Sequence, residues 1–242
     1  MIKALKKNRI LAVLPPADYA RLGSDLELVT LPVGEGIYEP DTCITHLYFP
    51  VDCIIARLYE LENGASAKTS LTGNEGIVGV SYLLGSESTS ARTVALSGGT
   101  AFRIKASLLK KEFEAGGSLQ RLLLRFIQSL LVQTEQIAVG ALHHTIEQQL
   151  CFFLLMTLDR LSENELLFTH EQVSIFLGVR RESITVAAQK LELIGAIRYR
   201  RGHLTVTNRQ ELENRVGESY TVVSREYARL QDFTGFQAVE QS

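Results

Sequence analysis

The sequence predicts an α+β protein: an antiparallel β-sandwich or barrel, then a long helix, then a small helical unit finished by a β-hairpin. Three observations carry this expectation. From Val29 to about Ile104, short β-rich runs alternate with turn residues at roughly ten-residue intervals. From Leu119 to His143 there is no proline, and apolar residues recur in sevens. Between Thr169 and Thr207 two helical patterns meet at a glycine and are followed by two short β-rich runs.

At 242 residues the chain is long enough for two modest domains with separate cores. A hydrophobic content of 45% argues against disorder over most of the length. No run of roughly 18 apolar residues occurs, which argues against a membrane span. The apolar stretch Ile10–Leu14 is too short for a secretory leader and is interrupted by Pro15-Pro16. Cys43, Cys53 and Cys151 are odd in number and widely spaced, unlike a disulfide framework, so a cytoplasmic setting is expected. The formal net charge of −2 hides an asymmetry. Between Thr169 and Arg209 seven Lys/Arg stand against three Glu, and the remainder is correspondingly acidic. That distribution suits a unit that meets phosphate joined to one that does not.

In chain order, Leu11–Leu28 opens with an amphipathic helical pattern in which Leu11, Leu14, Tyr19 and Leu22 share a face. The clearest turns of the β-rich part are Gly34-Glu35-Gly36, Glu62-Asn63-Gly64 and Gly73-Asn74. Asn63-Gly64, between Ile54–Leu61 and Ala65–Leu71, supplies the positive φ angles of a tight hairpin. Lys105–Ala115 reads as a short helix halted by Gly116-Gly117, with Ser118 as N-cap of the next. In that long helix Leu123, Leu130 and Ile137 form one heptad column and Leu119 with Phe126 a second, weakened beyond by Gln133 and Gly140. Packing within its own domain is one reading. The favoured one is a dimer seam through Leu119, Leu123, Phe126, Leu130 and Ile137. A further helix, Thr145–Leu161, is apolar enough to be core and is broken by Ser162-Glu163-Asn164. Glu213–Ser242 is a mixed tail with Tyr220, Tyr227 and Phe233, suited to one more helix before a disordered end. The expected organisation is a β-rich domain over 1–115, a dimerisation helix over 116–144, a second domain over 145–212 and an extension over 213–242; the residues that give the first its sensor reading and the second its DNA-binding reading follow.

The most informative stretch begins at Thr169. This residue can cap a helix whose Val173, Phe176 and Leu177 point inward, with Ser174 small where two helices approach and Gly178 permitting a sharp turn. The next helix, within Arg180–Ile194, buries Ile184, Ala187, Leu191 and Ile194. Arg181, Glu182, Thr185 and Gln189 stay outside, able to enter a major groove together. Gly195 ends that helix. Ala196–Arg200, a turn at Arg201-Gly202, and His203–Thr207 then make a hairpin wing that brings Arg198, Arg200 and Arg201 near phosphate. Two ordinary packed helices with a solvated basic surface would need turn, spacing and wing to coincide by chance.

Leu177-Gly178-Val179-Arg180-Arg181-Glu182-Ser183-Ile184-Thr185, followed by Leu191-Glu192 and by Gly195 to Gly202, resembles the C-terminal domain of the Crp/Fnr superfamily of transcription regulators. Glu75-Gly76-Ile77-Val78-Gly79-Val80-Ser81, with Leu83-Leu84-Gly85, resembles that superfamily's cyclic-nucleotide-type β-roll. The likeness covers about residues 10–212. Leu14–Tyr19 and Tyr48–Pro50 are similar to a subgroup with a degenerate cyclic-nucleotide site. The resemblance implies a jelly-roll-like antiparallel β-roll, a double-stranded β-helix, and a C-terminal winged helix-turn-helix. It implies base contacts by Arg181 (to guanine), Glu182 (to cytosine), and Thr185 or Val186 (to a thymine methyl). Thr169, Arg180, Ser183, Gln189, Arg198, Arg200 and Arg201 fall to the DNA backbone. The implied partners are double-stranded DNA, a second copy of the chain, and RNA polymerase. The family's second arginine, one turn after Arg181, is Val186 here, so a known operator sequence does not carry over.

Cyclic-nucleotide-binding relatives use a Gly-Glu pair on the ribose and an Arg-Ser or Arg-Thr pair on the phosphate. Here the aligned residues are Gly79-Val80 and Thr89-Ser90, which lack both the carboxylate and the bidentate guanidinium. Gly79, Val80, Ser81, Thr89, Ser90 and Arg92 are therefore expected to outline a degenerate effector pocket. An iron–sulfur cluster needs about four cysteine ligands, and this chain has three cysteines. Cys43, Thr45, His46 and Cys53 are expected to pack in the roll rather than bind metal or haem, and no cofactor is expected. No nucleophile–base pairing or phosphate-cradling glycine loop suggests an enzyme. The expectation is a homodimeric regulator reading a pseudo-palindrome, its effector open. The alternative is a ligand- or protein-binding sensor module with an inactive DNA-binding domain.

Overall fold

The computed structural model describes residues 5–62, 66–161, 165–200 and 203–231. Asn8, wholly buried, caps helix α1 (Arg9–Ala12): its Oδ1 accepts from the Ile10 and Leu11 N–H groups. Its Nδ2 donates to the carbonyls of Pro50 and Gly76, so the cap also pins the helix to the strands beneath. Pro15-Pro16 divides the predicted amphipathic segment, and α2 (Pro16–Gly23) starts afresh with proline in its first turn. Leu11, Leu14 and Leu22 are buried as expected, and Tyr19 is half-buried.

Seven strands follow: β1 (Glu27–Leu31), β2 (Gly36–Tyr38), β3 (His46–Pro50), β4 (Ile55–Glu60), β5 (Ser66–Thr72), β6 (Arg92–Ala95) and β7 (Gly99–Lys105). A short helix, α3 (Val80–Leu83), lies between β5 and β6. The strands form two antiparallel sheets, ordered β1-β7-β3 and β2-β6-β4-β5. In the β3–β7 register Leu47 faces Ile104 and Phe49 faces Phe102, all four buried, as the alternation of a half-buried strand requires. The β4–β5 pair is the predicted hairpin, though its Asn63-Gly64 turn lies outside the described residues. A bulge between Arg57 and Leu58 shifts its register, so that Leu58 stands opposite Lys68.

Helix α4 (Ala106–Glu114) leads into the long α5 (Gly117–His143). Ser118 is not its N-cap. Gly116 (φ 81°) occupies that position and no side chain caps the end, because two successive positive-φ glycines reverse the chain before the helix starts. Helix α6 (Ile146–Leu158) opens with a Thr145–Gln148 capping box and buries every residue from Leu150 to Leu158. Then come β8 (Glu165–Leu167), α7 (His170–Leu177), α8 (Arg181–Leu193), β9 (Ile197–Arg200) and β10 (His203–Val206), the strands ordered β8-β10-β9. The wing thus has a third strand that the sequence did not announce. The tail holds two helices where one was expected, α9 (Arg209–Val216) and α10 (Glu218–Gln231). The predicted disordered end, with Phe233, lies outside the described residues.

Helix α5 is the spine. Its buried face includes Leu119, Leu122, Leu123 and Phe126, packed inside the chain's own core. Leu119, Leu123 and Phe126 were expected to meet a partner; all three are instead buried within the chain's own core, Phe126 between the roll and α10. Leu130 and Ile137 are half-buried against the same core. Gly76 lets Phe126 approach the roll: a Cβ there would lie 2.2 Å from that ring. From the other side α10 closes over α5, with Tyr227 against Phe126. The Gln133 amide donates to the Leu71 carbonyl and the Tyr227 hydroxyl, and its oxygen accepts from the Leu71 N–H. What α5 leaves uncovered is a different heptad: Leu124, Leu131, Ala138 and Ala141 are exposed, with Ile127 half-buried between them.

Candidate nucleic-acid interface

Helix α7 begins with a capping box, in which the Thr169 hydroxyl accepts from the Gln172 N–H. It ends at Gly178, whose φ of 66° is the left-handed turn the sequence called for. Val173 and Phe176 are buried and Leu177 is partly so; buried Ser174 donates to the Glu171 carbonyl where α8 crosses close by. Helix α8 buries Ile184, Ala187, Ala188 and Leu191. Ile194, expected in that set, sits at the C-cap, 40% exposed, because the chain turns at Gly195 before a further helical turn can bury it.

The outer face of α8 carries exposed Arg181, Glu182, Val186 and Gln189. Arg181 Nε lies 3.9 Å from Glu171 Oε2, an exposed pair too weak to hold the guanidinium. Ser183 and Thr185 are only half-exposed, and the Thr185 hydroxyl donates to the Arg181 carbonyl and meets His170 Nδ1 at 3.1 Å. Arg180 is the exposed N-cap residue of α8, and Thr169 is exposed although committed to its cap. Arg198 and Arg200 are exposed on β9, while Arg201 lies outside the described residues.

Two positioning contacts were not legible in the sequence. The His170 ring stacks on Tyr199 at 4.1 Å, and the Tyr199 N–H donates to Glu192. Together they fasten the wing to α7 and α8. Burial, reinforced by Arg181, holds the His170 imidazole below its ordinary pKa. Lys190, exposed on α8, is a further cation that went unnamed.

In the roll, Gly79, Val80, Ser81 and Thr89 line one pocket of about 70 Å³. Gly79 has φ 98°, and a Cβ would meet the Tyr38 hydroxyl at 2.5 Å. Ser90 and Arg92 do not line this pocket: Arg92 is drawn to Glu39 at 3.3 Å and Glu60 at 3.6 Å. The cation that does line it is Arg57, brought there by β4, and Leu130 of α5 closes the wall. Of the cysteines, Cys53 and Cys151 are buried, each thiol pushed up to about 12 by burial, whereas Cys43 is exposed rather than packed. His46 is half-buried beside Thr45. Among the described residues no helix is long and apolar enough to cross a membrane.

A β-roll joined through one long helix to a winged helix-turn-helix defines a two-part class of fold whose C-terminal part is built to bind DNA. Residues 148–215 match the Crp-like helix-turn-helix domain. Among solved structures the chain is similar to a protein of Eubacterium rectale ATCC 33656 placed in the Crp/Fnr family, with TM-score 0.67 and 16% identity over 87% of this chain and 99% of that one. FixK2 of Bradyrhizobium japonicum gives TM-score 0.66 and 17% identity over 78% and 96%. A CRP/FNR-family transcriptional regulator of Thermus thermophilus gives 0.61 and 17% over 78% and 98%. No curated protein sequence matches significantly. The chain has the DNA-binding fold of a Crp/Fnr-type transcription regulator.

Proposed function

We propose that the protein is a homodimeric, sequence-specific transcription regulator that reads a pseudo-palindromic DNA site with α8 and holds phosphate with its wing. The observation that carries this is the single outer face of α8, where Arg181, Glu182, Val186 and Gln189 stand exposed beside Arg198 and Arg200. In this reading Arg181 takes guanine, Glu182 cytosine and Val186 a thymine methyl, with Thr185 secondary because His170 holds it. Thr169, Arg180, Ser183, Gln189 and the wing arginines keep to the backbone. Two α8 helices about a dimer axis enter successive major grooves about 34 Å apart. The uncovered heptad of α5 (Leu124, Ile127, Leu131, Ala138 and Ala141) is the seam suited to that axis. Leu131→Glu should therefore shift the protein toward monomer in sedimentation, and an unchanged dimer would remove this face from the interface. The effector is not an ordinary cyclic nucleotide, given the absence of the Gly-Glu and Arg-Ser pairs at Gly79-Val80 and Thr89-Ser90. A cytoplasmic setting and contact with RNA polymerase follow from the same reading.

The decisive experiment compares two arginines on selected and scrambled duplexes at two salt concentrations. Arg181→Ala should cost about 1–3 kcal/mol per half-site on the selected sequence and little on the scrambled one. Arg200→Ala should weaken both alike and flatten the salt dependence. Equal losses for Arg181→Ala on both duplexes would place the wrong residue in the groove. A sensor module with an inactive DNA domain would show no salt-dependent duplex binding at all.

A further inference from the structure

Strand β5 carries a buried lysine where a strand facing a core ordinarily carries an apolar residue. Lys68 is only 8% exposed. Its Nζ stands 5.0 Å from the ring centre of Phe176, 5.5 Å from Phe153 and 5.9 Å from Phe152. Those rings belong to α6 and α7, so the ammonium crosses from the sensor strand into the DNA-binding unit. Among the described residues no carboxylate pairs with it, and the charge that acts on it, Arg160, has the same sign. Ring faces supply about 0.5–2 kcal/mol each at best, which falls short of what a desolvated ammonium loses on leaving water. Burial, with Arg160 adding to it, lowers its pKa to about 7, so the site holds a charge only with difficulty.

A cavity of about 70 Å³ adjoins this lysine. Lys68, Gln136, Gly140, His144, Phe152 and Phe176 are among its walls, and no acidic side chain is. Phe152 and Phe176 are also the rings under the ammonium, so the lysine and two of the rings it rests on share the walls of this cavity. The walls come from β5, the end of α5, α6 and α7; β5 and α5 also reach the roll pocket, but no residue lines both.

We propose that this cavity is a second ligand site, taking a small monocarboxylate whose charged end pairs with Lys68 and whose short apolar end lies against Ile137 and Leu177. Lys68 is the one ammonium on a wall that also holds Gln136, His144 and Gln149, so a single carboxylate finds a counter-charge with polar groups beside it; a phosphate dianion would bring in a second charge with no second lysine or arginine lining the cavity. The site does not depend on how the protein reads DNA. Because sensor and DNA-binding units both contribute walls, the occupant binds differently to different arrangements of the two.

The test is calorimetry on the full chain with propionate, butyrate, butyramide and inorganic phosphate, alongside amide NMR shift mapping. Butyrate should bind saturably and move the amides of Gly140, Ala141 and Leu177, while butyramide and phosphate should not. Lys68→Met should weaken butyrate by at least about tenfold, equivalent to about 1.4 kcal/mol. No saturable carboxylate binding, equal binding of butyramide or phosphate, or shifts confined to Gly79 and Thr89 of the roll pocket would each overturn the proposal. If Lys68→Met does not fold, the butyrate–butyramide comparison and the shift map decide the matter on the unaltered protein.

Discussion

Two seams join the β-roll to the winged helix-turn-helix, and each is built around one buried cation. In the first, Arg160 is 3% exposed and its Nε lies 2.8 Å from Glu75, an ionic contact off the axis of a good hydrogen bond. Its Nη1 donates to the Met156 carbonyl and its guanidinium lies over Tyr227. In the second, Lys68 meets three aromatic rings and, among the described residues, no acid. The difference teaches that burial alone does not say whether a charge stabilises a junction; what the opposite side of the seam supplies does. A neutralised cation makes its partner indispensable. A cation without a counter-charge makes itself expendable.

The largest effect should come from breaking the neutralised seam. Glu75→Ala leaves Arg160 buried without its acid and should cost about 3–5 kcal/mol in denaturant unfolding. A loss well under 1 kcal/mol would mean that solvent reaches the guanidinium. Removing the other cation should do the opposite. Lys68→Met should raise stability at neutral pH by roughly 1–4 kcal/mol. Its pH dependence sharpens the contrast. With the native-state pKa lowered to about 7, the unfolded chain binds a proton that the native state lacks between pH 7 and the ordinary lysine range. Stability of the unaltered protein should therefore rise with pH across that window, and Lys68→Met should lose this component of the slope. An identical slope in both proteins would show that Lys68 carries its charge comfortably. The smallest effect is expected from Tyr227→Phe, which removes an acceptor from Gln133 but keeps the ring over Arg160 and should cost about 1 kcal/mol.

The DNA-reading unit was largely legible because its logic is local. Thr169, Gly178 and Gly195 punctuate two helices whose inner and outer faces follow from 3.6-residue spacing, and the wing follows directly in sequence. What the pattern missed there, the His170–Tyr199 stack and strand β8, joins residues brought together only by the fold. The roll was legible as a class of architecture, but its pocket was not. Arg57 and Leu130 come to Gly79 from a different strand and from α5, and Arg92 is turned aside by acids at positions 39 and 60. Helix α5 shows the same limit most clearly. A heptad pattern reports that a helix has an apolar face. Here two faces are apolar, and spacing cannot say which one the chain covers itself: Leu119, Leu123 and Phe126 went inward, and Leu124 and Leu131 stayed out. The bulge at Arg57 and Leu58, which goes with the buried Lys68, has no signature in residue type.

The brace formed by α10 also has a consequence in time. Tyr227 and the Gln133 amide it satisfies are 94 positions apart. Synthesis delivers the roll and α5 long before α10 emerges. Until then the Phe126 flank of α5 stands bare, and the DNA-binding unit is tethered to the sensor without this clasp. Closing so distant a contact is slow compared with forming either helix. The nascent chain therefore passes through a stage with a finished sensor, a finished reader and an uncovered apolar strip between them. Over that interval the strip is open to water, and α10 is what ends its exposure.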